Sequence, residues 1–172
     1  METLKSVIRD IPDFPKEGII FKDITPLLSN PSSFQEAIDT LKDRYKNKKI
    51  DRVVGIEARG FVFASALAYA LGCGMVMVRK PGKLPYKTFQ KTYSLEYGED
   101  SIEIHQDAFE KGQRIVVIDD VLATGGTVAA CIELIRKNFE IDLIEVGFLI
   151  ELDFLSGGEK IADIPIFSMV HF

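Results

Sequence analysis

The chain has 172 residues, of which 47% are hydrophobic and 27% charged, with a net charge of -5. A single domain of this length buries roughly 70% of its unfolded surface, so this apolar content can form a core without outside staples. The acidic balance excludes a general nucleic-acid binder, which must neutralise many phosphates at once, and no run reaches the roughly 18 apolar residues of a membrane span.

Glu2 to Arg9 reads as a short amphipathic helix ending before Ile11-Pro12, since a residue ahead of proline avoids helical angles. A loop is expected from Pro12 to Asn30, punctuated by Pro15, Gly18 and Pro26. From Pro31 to about Lys48 a second helix is predicted, with Phe34, Ile38, Leu41 and Tyr45 at helical spacing. Strands and helices then alternate: strand Arg52–Ile56, helix Gly60–Ala70, strand Gly74–Val78, strand Ile115–Ile118, helix Thr127–Asn138 and strand Asp142–Ile150. Ile166–Val170 can close the sheet. Strands that are apolar throughout, separated by helices, predict a parallel sheet covered on both faces.

Pro81 to Glu103 breaks this rhythm. A basic Gly/Pro-bearing loop, read as a mobile lid over Pro81–Lys91, precedes an antiparallel hairpin made of Lys91–Tyr97 and Ser101–Ile104. Cys73 and Cys131 lie far apart with no metal-ligand spacing, which favours buried free thiols in a reducing compartment. The first ten residues lack a hydrophobic signal core, and a soluble cytoplasmic protein is expected. His105 and His171 have no evident partners for a triad or metal site and read as structural.

The richest segment is Arg114-Ile-Val-Val-Ile-Asp-Asp-Val-Leu-Ala-Thr-Gly-Gly-Thr127, a strand that ends in two acids and runs into a small-residue loop and a helix. Ligands of an open parallel sheet bind beyond the carboxyl ends of its strands. Ala123, Gly125 and Gly126 let backbone N–H groups approach an anion, the helix start adds its positive end, and Thr124 and Thr127 add hydroxyls. The loop has no lysine, so it is not a nucleoside triphosphatase loop. Asp119 and Asp120 would repel a phosphate but suit vicinal hydroxyls, which donate strongly to carboxylates. An anion cradle one step beyond a diol clamp describes a ribose 5-phosphate.

Val117–Thr127 resembles the signature of the type I phosphoribosyltransferases, which use 5-phosphoribosyl 1-pyrophosphate (PRPP). The resemblance implies an α/β single-domain fold of that type, a parallel central sheet with helices on both faces plus a small hood with an antiparallel hairpin. The hood would come from about residues 1–30 and 81–104 of one domain spanning 1–172. It also implies that Asp119 and Asp120 hold the ribose hydroxyls and that Ala123, Thr124, Gly125, Gly126 and Thr127 hold the 5-phosphate.

Phe14–Pro26, Gly55–Phe61, Arg79–Pro85 and Tyr93–Gly98 resemble the adenine phosphoribosyltransferases, a branch of that family, so the likeness runs through nearly the whole chain. It implies a pentosyltransferase of purine salvage that converts adenine and PRPP into AMP and pyrophosphate with Mg2+ bound mainly through substrate and no dedicated protein metal site. Ile20, Phe21 and Lys22 would hold adenine, Phe21 by stacking and its neighbours by backbone groups. Lys22 stands where many relatives carry Arg, a change that a backbone role tolerates. Ala58 and Arg59 belong to the implied pyrophosphate loop, often built on a non-proline cis peptide, and Arg59 would grip the leaving group as a bidentate fork. Arg79, Lys80 and Lys83, with Lys87 beyond them, would neutralise the same group and can reach across a dimer interface, so a homodimer is implied.

Glu96 would face the purine and manage its imidazole proton, which with Arg59 completes the implied catalytic set. The implied partners are adenine and PRPP, with neither nucleic acid nor membrane. Other readings stay open at this point: the same fold acting on xanthine, guanine or orotate, a PRPP-binding regulator, or a noncatalytic subunit.

Overall fold

The computed structural model describes residues 2–94 and 98–172. Helix α1 (Glu2–Val7) leads into β1 (Arg9–Pro12), β2 (Ile20–Asp23), the short α2 (Thr25–Ser29) and α3 (Pro31–Tyr45). Then follow β3 (Arg52–Ile56), α4 (Gly60–Leu71), β4 (Gly74–Val78), β5 (Thr88–Ser94) and β6 (Glu99–His105). The chain closes with β7 (Arg114–Leu122), α5 (Gly126–Asn138), β8 (Asp142–Glu151), 3-10 turns at Asp153–Leu155 and Gly157–Ile161, and β9 (Ile166–His171).

Five strands form a parallel sheet in the order β4-β3-β7-β8-β9, which sets β7 at the centre. Because side chains alternate along a strand, each strand feeds two cores. Val53, Val116 and Ile118 pack with α1, α3 and α4 on one face; Val54, Ile56, Ile115 and Val117 pack with α5 on the other. Helix α3 begins at Pro31, where proline's missing N–H costs nothing, and Asn30 caps it by accepting from the Ser33 N–H at 3.0 Å. Its buried stripe includes Ala37, Leu41 and Tyr45, with Phe34 and Ile38 half-buried beside it. Helix α4 stops at Gly72, whose φ of 70° ends the helix in the left-handed region.

Two antiparallel ribbons stand outside the sheet, β1–β2 and β5–β6. The first corrects the expected Pro12–Asn30 loop, which holds β2 and α2 and is preceded by β1, so α1 ends at Val7 rather than Arg9. Arg9 pairs with Asp23 and Lys22 with Asp10 across that ribbon, so charge joins strands too short to show a pattern. The second ribbon begins at Thr88, which shortens the expected Pro81–Lys91 loop and starts the hairpin before the expected Lys91. Residues 95–97, and with them the hairpin's tip, lie outside the described residues. Helix α3 ends at Tyr45, short of Lys48, and β7 runs on through the two acids to Leu122. Both cysteines are free, but only Cys131 is buried; Cys73 is partly exposed beyond the end of α4. No described helix is long and apolar enough to cross a membrane.

A charged group away from the sheet's carboxyl edge also lies inside this frame. Glu145 on β8 is 1% exposed, and both its oxygens accept from Arg44 Nε at 3.1 Å while Lys48 Nζ reaches Oε2 at 2.6 Å. Burial pushes its carboxyl up, but the hydrogen bonds from Arg44 and Lys48 outweigh that and hold it below the usual range. Replacing both cations (Arg44→Met with Lys48→Met) strands a buried carboxylate and should cost about 3–5 kcal/mol in urea unfolding at neutral pH. A depressed pKa gives stability that is present above the unfolded carboxylate pKa and is lost as pH falls through the folded value. The deficit should therefore shrink in acid; a deficit that is constant from neutral to acid pH would mean the pair is not its source.

Candidate active site

The carboxyl ends of β3, β4 and β7 meet at one cavity of about 220 Å³, lined among others by Glu57, Ala58, Arg59, Arg79, Lys80, Asp119 and Asp120. Thr127 also lines it, and a recess of about 90 Å³ continues from Asp119 through Ala123, Thr124, Gly125 and Gly126 to Val128. That recess is about three times the ~30 Å³ share of a liquid water, room for a small anion. The structure thus brings the expected diol and phosphate residues together with Ala58, Arg59, Arg79 and Lys80 around one space, while Lys83 lies outside the lining and reaches it only through Glu57.

The recess is built from backbone. Gly125, with φ of 75°, is the N-cap of α5, and no side chain caps the helix start. The first-turn N–H groups have no intrahelical acceptors, so they and the helix dipole face the recess as anion donors. The turn is supported from behind: a Cβ on Gly125 would collide with the Gly157 carbonyl, and one on Gly157 with the Ala123 carbonyl. The Gly157–Ile161 turn was invisible in the sequence and holds the loop's shape.

At the end of β7, Asp119 Oδ1 accepts from the Asp120 N–H at 2.9 Å. Burial, then the neighbouring Asp120 charge, pushes the Asp119 carboxyl well above the ordinary range. Burial also raises Asp120, against the opposing pull of Arg59. Arg59 Nε sits 2.7 Å from Asp120 Oδ2, at ion-pair distance but without hydrogen-bond alignment, so that buried oxygen keeps its accepting capacity free. Gly60 is required beside them, since a Cβ there would lie 2.7 Å from Asp119 Oδ1 and 3.0 Å from the Ile118 carbonyl.

Every cation at the cavity has an acidic partner. Arg59 has Asp120, Arg79 has Glu57 at 2.9 Å, Lys83 has Glu57 at 3.2 Å, and Lys80 has Asp100. Glu57, which sequence reasoning passed over, also accepts from the Lys80 N–H at 2.8 Å. Burial pushes Glu57 up, yet the hydrogen bonds from Arg79, Lys80 N–H and Lys83 prevail and hold it at about 2. Burial lowers the Lys80 ammonium, partly offset by Glu57. The peptide between Glu57 and Ala58 is cis, as the resemblance implied. Lys87 is exposed.

The base-segment residues lie on β2. Phe21 packs edge-on against Phe14 with centroids 5.2 Å apart, and the Arg59 guanidinium lies 4.8 Å over its ring, which ties the first ribbon to the cavity. Ile20 is exposed. The Lys22 side chain turns away to Asp10 at 2.7 Å and over the Phe172 ring at 3.7 Å, so it offers the site only its backbone. Glu96 lies outside the described residues. The reading of His171 needs correction: its Nδ1 lies 2.8 Å from Asp153 and 3.9 Å from Glu151, partners that the sequence separates by 18 and 20 residues.

Residues 23–158 match the family model described as a phosphoribosyl transferase domain. An adenine phosphoribosyltransferase from Citrifermentans bemidjiense is 58% identical over 172 residues, all of both chains. Among solved structures, the adenine phosphoribosyltransferase from Thermoanaerobacter pseudethanolicus superposes with a TM-score of 0.95 at 48% identity, covering 99% of each chain. The Saccharomyces cerevisiae enzyme, complexed with an imino-altritol bisphosphate and adenine, gives a TM-score of 0.91 at 44% identity, covering 97% of this chain and 96% of that one.

The raised Asp119 pKa carries a stability consequence. The folded chain keeps a proton there that the unfolded chain has lost, so this contribution is full in acid and falls as pH rises through the folded value. Asp119→Asn keeps the acceptor and removes the charge. It should raise the melting temperature of the ligand-free protein at about pH 8 and leave it little changed at about pH 4. A lower melting temperature at the higher pH would show that the pair is not under charge strain.

Proposed function

Because the chain belongs to the adenine phosphoribosyltransferase family, we propose that it joins adenine to the phosphoribosyl group of PRPP, giving AMP and pyrophosphate. One observation carries the reading above all others. Asp119 lines both the anion recess and the cavity that carries the cluster of cations, and beside it the buried Asp120 oxygen keeps its accepting capacity free. PRPP has that order of groups: a 5-phosphate, a vicinal diol, and a pyrophosphate on the anomeric carbon.

In this reading Asp119 and Asp120 accept from the ribose hydroxyls, and the 123–127 turn holds the 5-phosphate through backbone N–H groups. Arg59 leaves Asp120 to the diol and turns to the pyrophosphate with Ala58, Arg79, Lys80 and Lys83. Adenine lies against Phe21, its edge read by the backbone of Ile20, Phe21 and Lys22. Its N9 bonds to the anomeric carbon as the bond to the pyrophosphate oxygen breaks. The electron pair leaves with pyrophosphate, and the base gives up its imidazole proton. The sugar passes through an oxocarbenium-like state, as in glycoside chemistry, so preorganised charge around the leaving group supplies most of the acceleration. Glu96, placed by resemblance alone, manages the base proton.

The residues present fit Mg2+ of the kind held mostly by substrate and water. Asp119 and Asp120 offer carboxylate oxygens at the cavity, where Glu57 is already taken by three donors. When bound, Mg2+ would neutralise part of the pyrophosphate charge.

The hood is assigned to about residues 1–30 and 81–104, with the 81–87 loop closing over the cavity to keep water from the activated sugar. A homodimer through the α4 and β4 side is supported by the exposed Tyr69, Met77 and Tyr86 there and in the following loop. A cytoplasmic setting is supported by two free cysteines.

The deciding experiment offers radiolabelled adenine, PRPP and Mg2+ with xanthine, guanine and orotate as competitors. AMP formation unaffected by the competitors supports the reading; no AMP, or preferred turnover of another base, overturns it. The variant Asp119→Asn with Asp120→Asn should lose about 10³-fold in turnover and still fold, whereas near-normal activity would refute the diol clamp. Glu96→Ala should lower kcat far more than it weakens PRPP binding, and an unchanged kcat would remove its proton role.

A further inference from the structure

We propose that Asp100 is a positioning residue that holds the Lys80 ammonium at the pyrophosphate end of the cavity and, through Tyr93, ties it to the phosphate turn. The proposal rests on the reading of Lys80 as a pyrophosphate ligand and adds a residue pair that neither the signature nor the cavity lining contains.

Lys80 leaves the sheet just beyond β4, and its Nζ is bonded to Asp100 Oδ2 on β6. Asp100 faces Tyr93 directly across the β5–β6 ribbon. The Tyr93 hydroxyl lies 3.3 Å from the same Oδ2 and 3.2 Å from the Thr127 hydroxyl, and Asp100 Oδ1 is fixed by the Ser101 N–H at 2.8 Å. A continuous polar path therefore runs Lys80–Asp100–Tyr93–Thr127, from the cation cluster to the first turn of α5. The Tyr93 ring packs against the core on the α5 face, which steadies the middle of the path.

Two physical requirements explain such a device. Lysine carries a mobile stem whose ordering is costly, and ordering it before the ligand arrives lowers the cost of binding. An ammonium has three donors, so a bond to Asp100 leaves two for phosphate oxygens. Arg79 and Lys83 share Glu57 and Arg59 has Asp120, so Lys80 would otherwise stand as an unpaired like charge beside them. The path also gives a reason for coupling. With the tyrosine proton on Asp100, the Thr127 hydroxyl donates to the tyrosine oxygen. When a phosphate at the turn accepts from the Thr127 hydroxyl, that hydroxyl rotates away and the Tyr93 O–H turns to donate to the Thr127 oxygen instead of to Asp100. Each proton stays on its own oxygen, and Asp100 is left to accept from Lys80 alone.

The test is steady-state kinetics on Asp100→Asn, Asp100→Glu, Tyr93→Phe, Lys80→Met and the Asp100→Asn/Lys80→Met pair, with pyrophosphate inhibition and melting temperatures measured alongside. Asp100→Asn should raise the KM for PRPP and weaken pyrophosphate inhibition about tenfold, the scale of one charge-assisted contact, with little change in the KM for adenine or in melting temperature. Asp100→Glu should restore most of the loss, Tyr93→Phe should show a smaller shift of the same kind, and the double variant should be no worse than Lys80→Met alone. If Lys80→Met weakens PRPP and pyrophosphate but Asp100→Asn does not, the inference is overturned while the pyrophosphate reading stands. If Lys80→Met changes neither, the pyrophosphate reading falls and the inference with it. Equal loss for adenine and PRPP, or no recovery in Asp100→Glu, would make Asp100 a structural residue only and also overturns the proposal.

Discussion

Two adjacent carboxylates buried at the tip of the central strand cannot both ionise without opposite charge close by, and much of the architecture answers that demand. Strand β7 brings Asp119 and Asp120 to the middle of the sheet's carboxyl edge, where β3 and β4, both on one side of it, deliver Arg59, Arg79 and Lys80 to the same cavity. Those cations bring the converse problem and are met by Glu57 and Asp100. The result is a pocket dense in both signs and locally balanced, in which, under the proposed function, incoming phosphate and hydroxyl groups would replace internal partners. Donors arranged before substrate arrives require little reorganisation at the moment of reaction.

The parallel sheet supports this because its strands are apolar on both sides and packed by separate cores. The polar edge therefore sits on a frame that does not depend on it. Glu145, a buried charged group of the frame, is matched by Arg44 and Lys48 from α3 and the turn after it, far along the chain from β8.

What could be read from residues alone divides along this line. β3, β4, β7 and β8 announce themselves as apolar runs, and the Ala123–Thr127 turn by its small residues, since each signal lies within a few neighbouring positions. The β1–β2 ribbon does not: each strand has four residues, and pairing depends on Arg9 meeting Asp23 and Lys22 meeting Asp10. Glu57, Asp100 and Tyr93 were invisible as site residues because their partners lie 22, 20 and 34 positions away. The cross-strand register that sets Tyr93 opposite Asp100 was the signal that could have found those two, and it required the hairpin's bounds to be placed correctly. His171 was misread for the same reason, its acids being neighbours only once β8 and β9 pair.

The contact between Gly125 and Gly157 has an evolutionary side. Most crowded pairs in a protein can drift, because a gain in bulk at one position is absorbed by a loss at the other. Here each position already carries the smallest residue there is, and each faces backbone rather than a side chain that could be trimmed. No second-site change within the pair can rescue a substitution in either member. Two points 32 residues apart are thus locked together without covarying, and a search for correlated changes would pass over them.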